Sequence, residues 1–423
     1  MSLNFKFFPE RPNVSNDLLA HKLTTFKSII HNAQTQFFFT FNRAELSSTS
    51  KAVYKKFEDR KVFVHVGIGG SSLGPEMLIN ALQKNNTKFL FINNIDPEEL
   101  HSQMSFLESV NLKDCLFYFV SKSGGTAETL AALAIITQFL DSKGVKPAEY
   151  KNYFVFATDP VKSEILTLAR EWDITTLEVP SDVGGRFSTL TPVGFLPALF
   201  AGLDLDLLLK GAVDAQASIL DEKNDRNELV ACAEFLFHLR EKQNISQTVL
   251  MPYSSKLRSF SFWFTQLWAE SLGKKKNRKG EVVNTGFTPI VGYGATDQHA
   301  QVQLFMEGPN DKAYVIIEVE KFAHDFSLKS TLTSNNLQKL SSFNLSSLMK
   351  AEMEGTIKAL RVNERPVIHV KIAKNDEYHV AQLILFFESL TALMGDYLMI
   401  DPFDQPGVEA GKIYAFEFLN QLK

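Results

Sequence analysis

Two stretches of the chain place glycines and hydroxyls where an apolar strand runs out. In VFVHVGIGGSSLGPEML the strand ends at Gly67 and passes through Gly69, Gly70, Ser71 and Ser72 into a helix begun by Pro75. In FYFVSKSGGTAETLAALA a second strand end is followed by Ser121, Lys122, Ser123, Gly124, Gly125, Thr126 and Thr129 at the mouth of another helix. Backbone N–H groups in such turns point at one spot, and glycines let an anion come close. The hydroxyls, amides and single ammonium of the second loop suit a phosphate monoester, which brings several acceptor oxygens and negative charge to a positive helix end. Neither loop is a full G-x-G-x-x-G or a G-x-x-x-x-G-K-[ST], which argues against a dehydrogenase and a P-loop NTPase. The first loop taken alone also reads as an ordinary strand-to-helix turn with a serine cap.

In VPSDVGGRFSTLTPVGFLPALF, Arg186 follows two glycines and precedes a helix signalled by Pro192. A guanidinium there suits either a structural salt bridge or the stabilisation of an oxyanion. In SFWFTQLWAESLGKKKNRKG a helix ended by Gly273 carries Gln266 and Glu270 four residues apart, hence on one face. Phe262, Trp263, Phe264, Leu267 and Trp268 are expected to desolvate Glu270 in part, and burial moves a carboxyl toward the range useful for shuttling a proton. The basic run Lys274, Lys275, Lys276, Arg278 and Lys279 reads as a solvated loop or as a patch steering an anionic substrate. His299, in VGYGATDQHAQVQLFMEG, starts a helix after a Gly-Tyr-Gly turn and alone also reads as a structural imidazole. In MIDPFDQPGVEAGKIYAFEFL a loop turns at Pro402 and Pro406 into a helix where Gly407 and Gly411 thin one face beside Lys412. None of the nine histidines forms an H-E-x-x-H pair or a ligand spacing with the two cysteines, so no metal is expected.

These residues need strands and helices to position them, and the chain alternates the two. Strands are expected over 62–66, 89–93, 116–121, 153–157 and 175–179, with helices over 75–82, 127–141 and 161–172 between them. After a mainly helical stretch from Leu203 to about Leu239, interrupted by the charged patch DEKNDRNE at 221–228, the alternation resumes. Strands are expected over 248–253, 288–292, 314–319 and 367–372, and helices over 257–272, 300–306 and 337–360. The class is α/β, two doubly wound parallel sheets covered by helices. The halves look alike in element order, which suggests a duplication. The segment 331–347, rich in Ser, Asn and Leu, is expected to contain an exposed loop.

Composition agrees with this reading. A chain of 423 residues with 45% hydrophobic and 22% charged residues is an ordinary globular mixture for two or three domains, not a disordered, collagen-like or membrane-bundle sequence. Phe is used 36 times against 3 Trp and 10 Tyr, which points to core filling. With Lys+Arg 44, Asp+Glu 48 and a formal charge of −4, a nucleic-acid surface is not expected. Cys115 and Cys232 sit in apolar stretches, as buried thiols in a reducing compartment do, so the cytoplasm is the expected location. MSLNFKFFPERPNV never builds the apolar segment of a signal peptide. The most apolar stretch, from His379, carries Glu388 and Asp396 and falls short of ~20 uninterrupted apolar residues, so no membrane span is expected.

From about Val62 to Lys423 the sequence resembles the glucose-6-phosphate isomerase (phosphoglucose isomerase) family, through VGIGGSSLGP, SKSGGTAET, GGRFS, AESLGK, the DQHAQ segment and FDQPGVEAGK in that order. It is similar to the shorter bacterial members. The resemblance implies two sugar-isomerase domains, each a three-layer αβα sandwich, with an N-terminal helical segment over 1–45, domains over 46–205 and 241–400, a helical bridge over 206–240, and a C-terminal loop and helix over 401–423. It implies interconversion of glucose 6-phosphate and fructose 6-phosphate, in glycolysis and gluconeogenesis, through a cis-enediolate and without a cofactor. Ser121, Ser123, Thr126 and Thr129 would hold the phosphate with Lys122, and Gly70 and Ser71 would line the sugar. Glu270 would move the proton, Arg186 stabilise the enediolate, His299 and Lys412 open the ring, and Gln266 and Gln405 position hydroxyls. The resemblance also implies a homodimer in which the histidine enters from the neighbouring subunit. Two departures are Pro406, where a Trp usually follows the FDQ segment, and Leu272, where polar residues are common. The alternative is a non-catalytic phosphosugar-binding regulator, which need not keep Glu270, His299 and Lys412 together.

Overall fold

A computed structural model describes residues 2–32, 35–224, 226–332 and 334–422. Asp225, of the charged patch at 221–228, and Thr333, of the 331–347 segment, lie outside the described residues. The chain opens with β1 (Asn4–Phe8), α1 (Asn16–Ile30) and α2 (Ala44–Phe57). Strands and helices then alternate through β2 (Val62–Val66), α3 (Leu73–Leu82), β3 (Lys88–Ile92), α4 (Pro97–Ser109), β4 (Cys115–Val120), α5 (Ala127–Ser142), β5 (Phe154–Thr158), α6 (Ile165–Glu171), β6 (Thr175–Glu178) and α7 (Pro192–Phe200). Helices α8 (Leu205–Ile219) and α9 (Glu228–Gln243) lead to β7 (Gln247–Pro252), α10 (Arg258–Leu272), the hairpin of β8 (Lys274–Lys276) and β9 (Val282–Thr285), β10 (Thr288–Val291) and α11 (Val302–Glu307). The remainder is β11 (Lys312–Lys321), α12 (Asn335–Leu340), α13 (Leu345–Val362), β12 (Val367–Lys374), α14 (Glu377–Tyr397) and α15 (Pro406–Gln421).

Two five-stranded sheets result, in the orders β3-β2-β4-β5-β6 and β1-β12-β11-β7-β10. The first is parallel throughout, and the second is parallel except for β1, which pairs antiparallel with β12. Strands such as VFVHV and CLFYFV are buried at every position, as strands covered on both faces must be. Much of the Phe excess fills this interior: Phe117, Phe119, Phe154 and Phe156 meet edge-on or stacked across β4 and β5. Cys115 and Cys232 are buried and unpaired.

The order of the first sheet positions the site. From β2 the chain crosses to β3 on one side and then to β4 on the other, so the loops leaving β2 and β4 diverge and open a crevice at the strand ends. Both glycine and hydroxyl loops lie there. Helix α10 packs on α3 and α14 and brings its polar face toward that crevice.

Two expectations are corrected, and a third feature is clarified. The N-terminal segment is not only helical, because Leu3 and Phe5 are buried and the alternating NFKFF run seats on the edge of the second sheet. The helix expected over 337–360 is broken at 341–344, where Asn344 accepts a bond from the Ser347 amide and restarts it as α13. The stretch from His379 forms α14, which by length and composition is apolar enough to cross a membrane. It is buried almost throughout and packs against α8, α9 and α10, the surroundings of a core helix.

Candidate active site

Helix α10 fixes the first part of the site. Its buried residues include Phe260, Trp263, Phe264, Leu267 and Trp268, whereas Phe262, Gln266 and Glu270 share the opposite face at four-residue spacing. Trp263, Phe264, Leu267 and Trp268 therefore face the core rather than Glu270, and of the expected aromatic neighbours only Phe262 shares its face. Glu270 instead keeps a side chain 24% exposed, and Arg186 lies against it with Nη1 3.2 Å from Oε1. Its other oxygen, Oε2, accepts from Gln266 Nε2 at 2.9 Å.

Arg186 lies in a 3-10 turn, Gly185–Phe187, and is buried. Nε donates to Ser271 Oγ at 2.7 Å, Nη1 to Gln405 Oε1 at 3.1 Å, and Nη2 to the carbonyl oxygens of Pro402 at 2.6 Å and Asp404 at 3.2 Å. Burial pulls the guanidinium below its ordinary pKa, while Glu270, Asp404 and Asp401 act in the opposite direction. Gln266, Glu270, Arg186 and Gln405 thus form one continuous polar chain, in which Arg186 and Gln405 meet although 219 positions separate them in the sequence. Sequence reading missed Ser271 and the two carbonyls. AESLGK and DPFDQ contain them, but neither motif says which atom turns inward.

The glycine loop meets this chain directly. Gly69 adopts a left-handed φ of +58°, and a Cβ there would lie 3.0 Å from Gln266 Nε2. A Cβ on Gly70 would lie 2.3 Å from the Gly185 carbonyl carbon and 2.6 Å from Arg186 N, so the two turns touch backbone to backbone. Ser71 ends the 3-10 turn Gly69–Ser71, and its carbonyl accepts from the buried His65 ring of β2, Nε2 at 2.7 Å.

In the loop after β4, Ser121 Oγ lies 3.0 Å from Thr126 Oγ1 and accepts from Gly124 N at 3.1 Å, and Ser123 Oγ accepts from Gly125 N at 3.3 Å. Gly124 takes φ +71°, which folds the loop over the N-terminus of the 16-residue α5. Thr129 is buried in the first turn of α5, and its hydroxyl finds no hydrogen-bond partner among the described residues. Lys122 turns elsewhere. Nζ donates to the carbonyls of Ser181 and Val183, both at 2.8 Å, and so joins this loop to the approach to Arg186.

His299 and Lys412 sit on two further elements. His299 is exposed in the 3-10 turn Thr296–His299, held through Gln298 to Tyr253 and Thr356, and among the described residues it makes no hydrogen bond or ion pair to the Arg186 cluster. Lys412 is exposed on α15, about 10 Å along the helix from Gln405 at ~1.5 Å per residue. Elsewhere, Glu318, Glu354 and His369 bring possible ligand atoms within 4.8 Å of one another. Lys371 at 2.8 Å and Lys350 at 3.5 Å already face the Glu318 carboxylate, so the group reads as an ion-pair network.

The sequence pattern of the family described as phosphoglucose isomerase matches residues 44–423. The chain belongs to the phosphoglucose isomerase family. Among its relatives, the glucose-6-phosphate isomerase of Carboxydothermus hydrogenoformans is 38% identical over 390 residues, covering 89% of this chain and 82% of that protein. A hypothetical protein of Thermus thermophilus superposes with a TM-score of 0.88 at 32% identity, covering 95% of each chain. The glucose-6-phosphate isomerase of Chlamydia trachomatis shares the fold, with a TM-score of 0.82 at 20% identity, covering 100% of this chain and 89% of that one. Like these relatives, this phosphoglucose isomerase family member is a mixed α/β protein with parallel sheets flanked by helices.

Proposed function

We propose that the protein interconverts glucose 6-phosphate and fructose 6-phosphate as an aldose-ketose isomerase of glycolysis and gluconeogenesis. The observation that carries this reading is the chain Gln266–Glu270–Arg186–Gln405, set against a glycine loop beside a hydroxyl-rich helix mouth. The phosphate of the substrate binds Ser121, Ser123, Thr126 and Thr129 at the start of α5, with Lys122 bracing the loop, and Gly70 and Ser71 line the sugar. Anchoring the non-reacting end lets remote binding energy orient C1 and C2. Glu270 takes the proton from C2 of the aldose and returns it to C1, one carboxylate serving both because the two carbons are adjacent. Arg186 meets the oxygen that becomes negative in the enediolate; its contacts to Ser271, Gln405, Pro402, Asp404 and Glu270 hold it in place, so it needs no reorganisation when charge develops. The C2 hydrogen moves to C1 and the C2 hydroxyl proton moves to the C1 oxygen, so the reaction balances without a redox partner.

His299 and Lys412 open the sugar ring, and the lack of any hydrogen bond or ion pair from His299 to the Arg186 cluster among the described residues supports a homodimer in which the histidine enters from the neighbouring subunit. The exposed apolar side chains of α15, among them Val408, Ile413, Tyr414, Phe416 and Phe418, support the same assembly. Residues 46–205 and 241–400 form the two sugar-isomerase domains, 206–240 the bridge and 401–423 the active-site extension. A phosphosugar substrate and buried free thiols suit the cytoplasm. The presence of Glu270, His299 and Lys412 together in the chain supports this reading over a non-catalytic sensor.

The test is fructose 6-phosphate turnover, read as glucose 6-phosphate formed without added metal or nucleotide. Wild-type protein turns over. Glu270→Gln binds phosphosugar but loses at least about 10³-fold in kcat, and Arg186→Ala loses more in kcat than in binding. Turnover retained by Glu270→Gln sinks the assignment of the base.

A further inference from the structure

Lys274 opens the basic run that composition presents as solvated, and its neighbours Lys275 and Lys276 are exposed. Its own side chain is 5% exposed. Nζ donates to the carbonyl oxygens of Glu270 at 2.8 Å and Ser271 at 2.9 Å and lies 3.6 Å from Asp404 Oδ1. The two carbonyls belong to the last turn of α10, where a helix leaves acceptors without backbone partners and where its dipole favours a cation. An ammonium carries three N–H bonds, and here it faces three acceptors.

The backbone of Lys274 is fixed independently. It pairs with Thr285 across the β8–β9 hairpin, and Arg240 of α9 donates to Gly286 O at 2.5 Å and Thr285 Oγ1 at 2.7 Å. Arg186 bridges the same two segments, from Ser271 to the carbonyls of Pro402 and Asp404. Two cations therefore staple the end of α10 to the 401–405 loop, and those segments carry Glu270 and Gln405.

We infer that Lys274 is a positioning residue of the isomerase site, setting the placement of Glu270 relative to Gln405 by clamping the α10 terminus to Asp404; this rests on the reading of the site given above. Lys274 touches no reacting atom in this account. Its removal leaves two buried carbonyls and the Asp404 carboxylate without their cation, and lets the loop that holds Arg186 drift.

The experiment compares Lys274→Met and Asp404→Asn with the wild type. It reads kcat and KM for fructose 6-phosphate, inhibition by inorganic phosphate as a probe of the Ser121–Thr126 loop, thermal unfolding, and amide hydrogen exchange over 401–405. Lys274→Met should lose roughly 10- to 100-fold in kcat, the scale of a misplacement of about 1 Å, and exchange faster over 401–405. Its inhibition by phosphate should stay within about twofold. Asp404→Asn, whose side chain is half exposed and tolerates change, should move kcat and exchange in the same direction by a smaller factor. A lowered melting temperature with kcat per folded enzyme unchanged, or unchanged exchange over 401–405, overturns the inference. A wild type inactive on fructose 6-phosphate overturns the isomerase reading instead, and the exchange data still decide whether Lys274 holds the loop.

Discussion

His65 shows how one buried side chain ties the glycine loop to pH. Its ring is fully buried on β2, with Nε2 bonded to the Ser71 carbonyl and Nδ1 without a partner among the described residues. Burial lowers its pKa from 6.5 to about 4, against the pull of the Ser71 bond. A histidine depressed in the folded state contributes stability that is present above the unfolded pKa and is lost as pH falls from 6.5 toward 4. The difference corresponds to about 3 kcal/mol at most. His65→Gln keeps a donor for Ser71 and removes the titration. Between pH 7 and pH 4.5 the urea midpoint should therefore fall less in this variant than in the wild type, and an equal fall in both rejects His65 as the acid-sensitive group. Residue-scale reading also explains what the sequence hid at Lys274. In KKKNRK five of six residues are basic, and simple strand alternation would give Lys274 and Lys276 the same face; the irregular register between them leaves the first buried and the next two exposed.

At the scale of elements, the close approach of two turns makes a pair of glycines behave oppositely. A Cβ on Gly70 would sit 2.3 Å from the Gly185 backbone, whereas one on Gly185 meets nothing within 4 Å. Gly70→Ala should destabilise by roughly 1–3 kcal/mol and displace the Arg186 turn, with a matching loss of turnover, while Gly185→Ala should leave the melting temperature nearly unchanged. Equal melting temperatures for the two variants would remove the backbone contact from the account. Local pattern carried most elements: 62–66 is a strand as expected, because VFVHV is apolar and β-branched almost throughout. It carried the Gln266–Glu270 pair as well, since four-residue spacing is itself geometry. It could not carry β1, whose partner strand lies more than 350 positions away, nor the closing of Gln405 on Arg186, which depends on where α14 delivers the chain. The proximity of those groups came from the family resemblance, not from periodicity.

For the whole molecule, the proposed dimer is where prediction bears hardest. A 16-residue helix with Val408, Ile413, Tyr414, Phe416, Phe418, Leu419 and, at its end, Leu422 exposed leaves apolar surface that a second copy would cover. If the site is shared, His299→Ala and Glu270→Gln proteins, each inactive, should recover part of the wild-type turnover when unfolded together and refolded as a mixture, up to about a quarter for random pairing with one intact site per mixed dimer. No recovery, with mixed dimers shown to be present, rejects a shared site.

The antiparallel seat of β1 against β12 has a consequence for the order in which the molecule can be finished. Asn4 to Phe8 leave the ribosome well before Lys371 to Val367, against which they are registered. At ~5–20 residues per second, roughly 20 to 70 s of synthesis separate the two strands. This early segment is thus among the last to be seated. That segment must be kept from other sheet edges until β12 has been made, so vectorial synthesis can complete the first sheet early while the second remains open at its border.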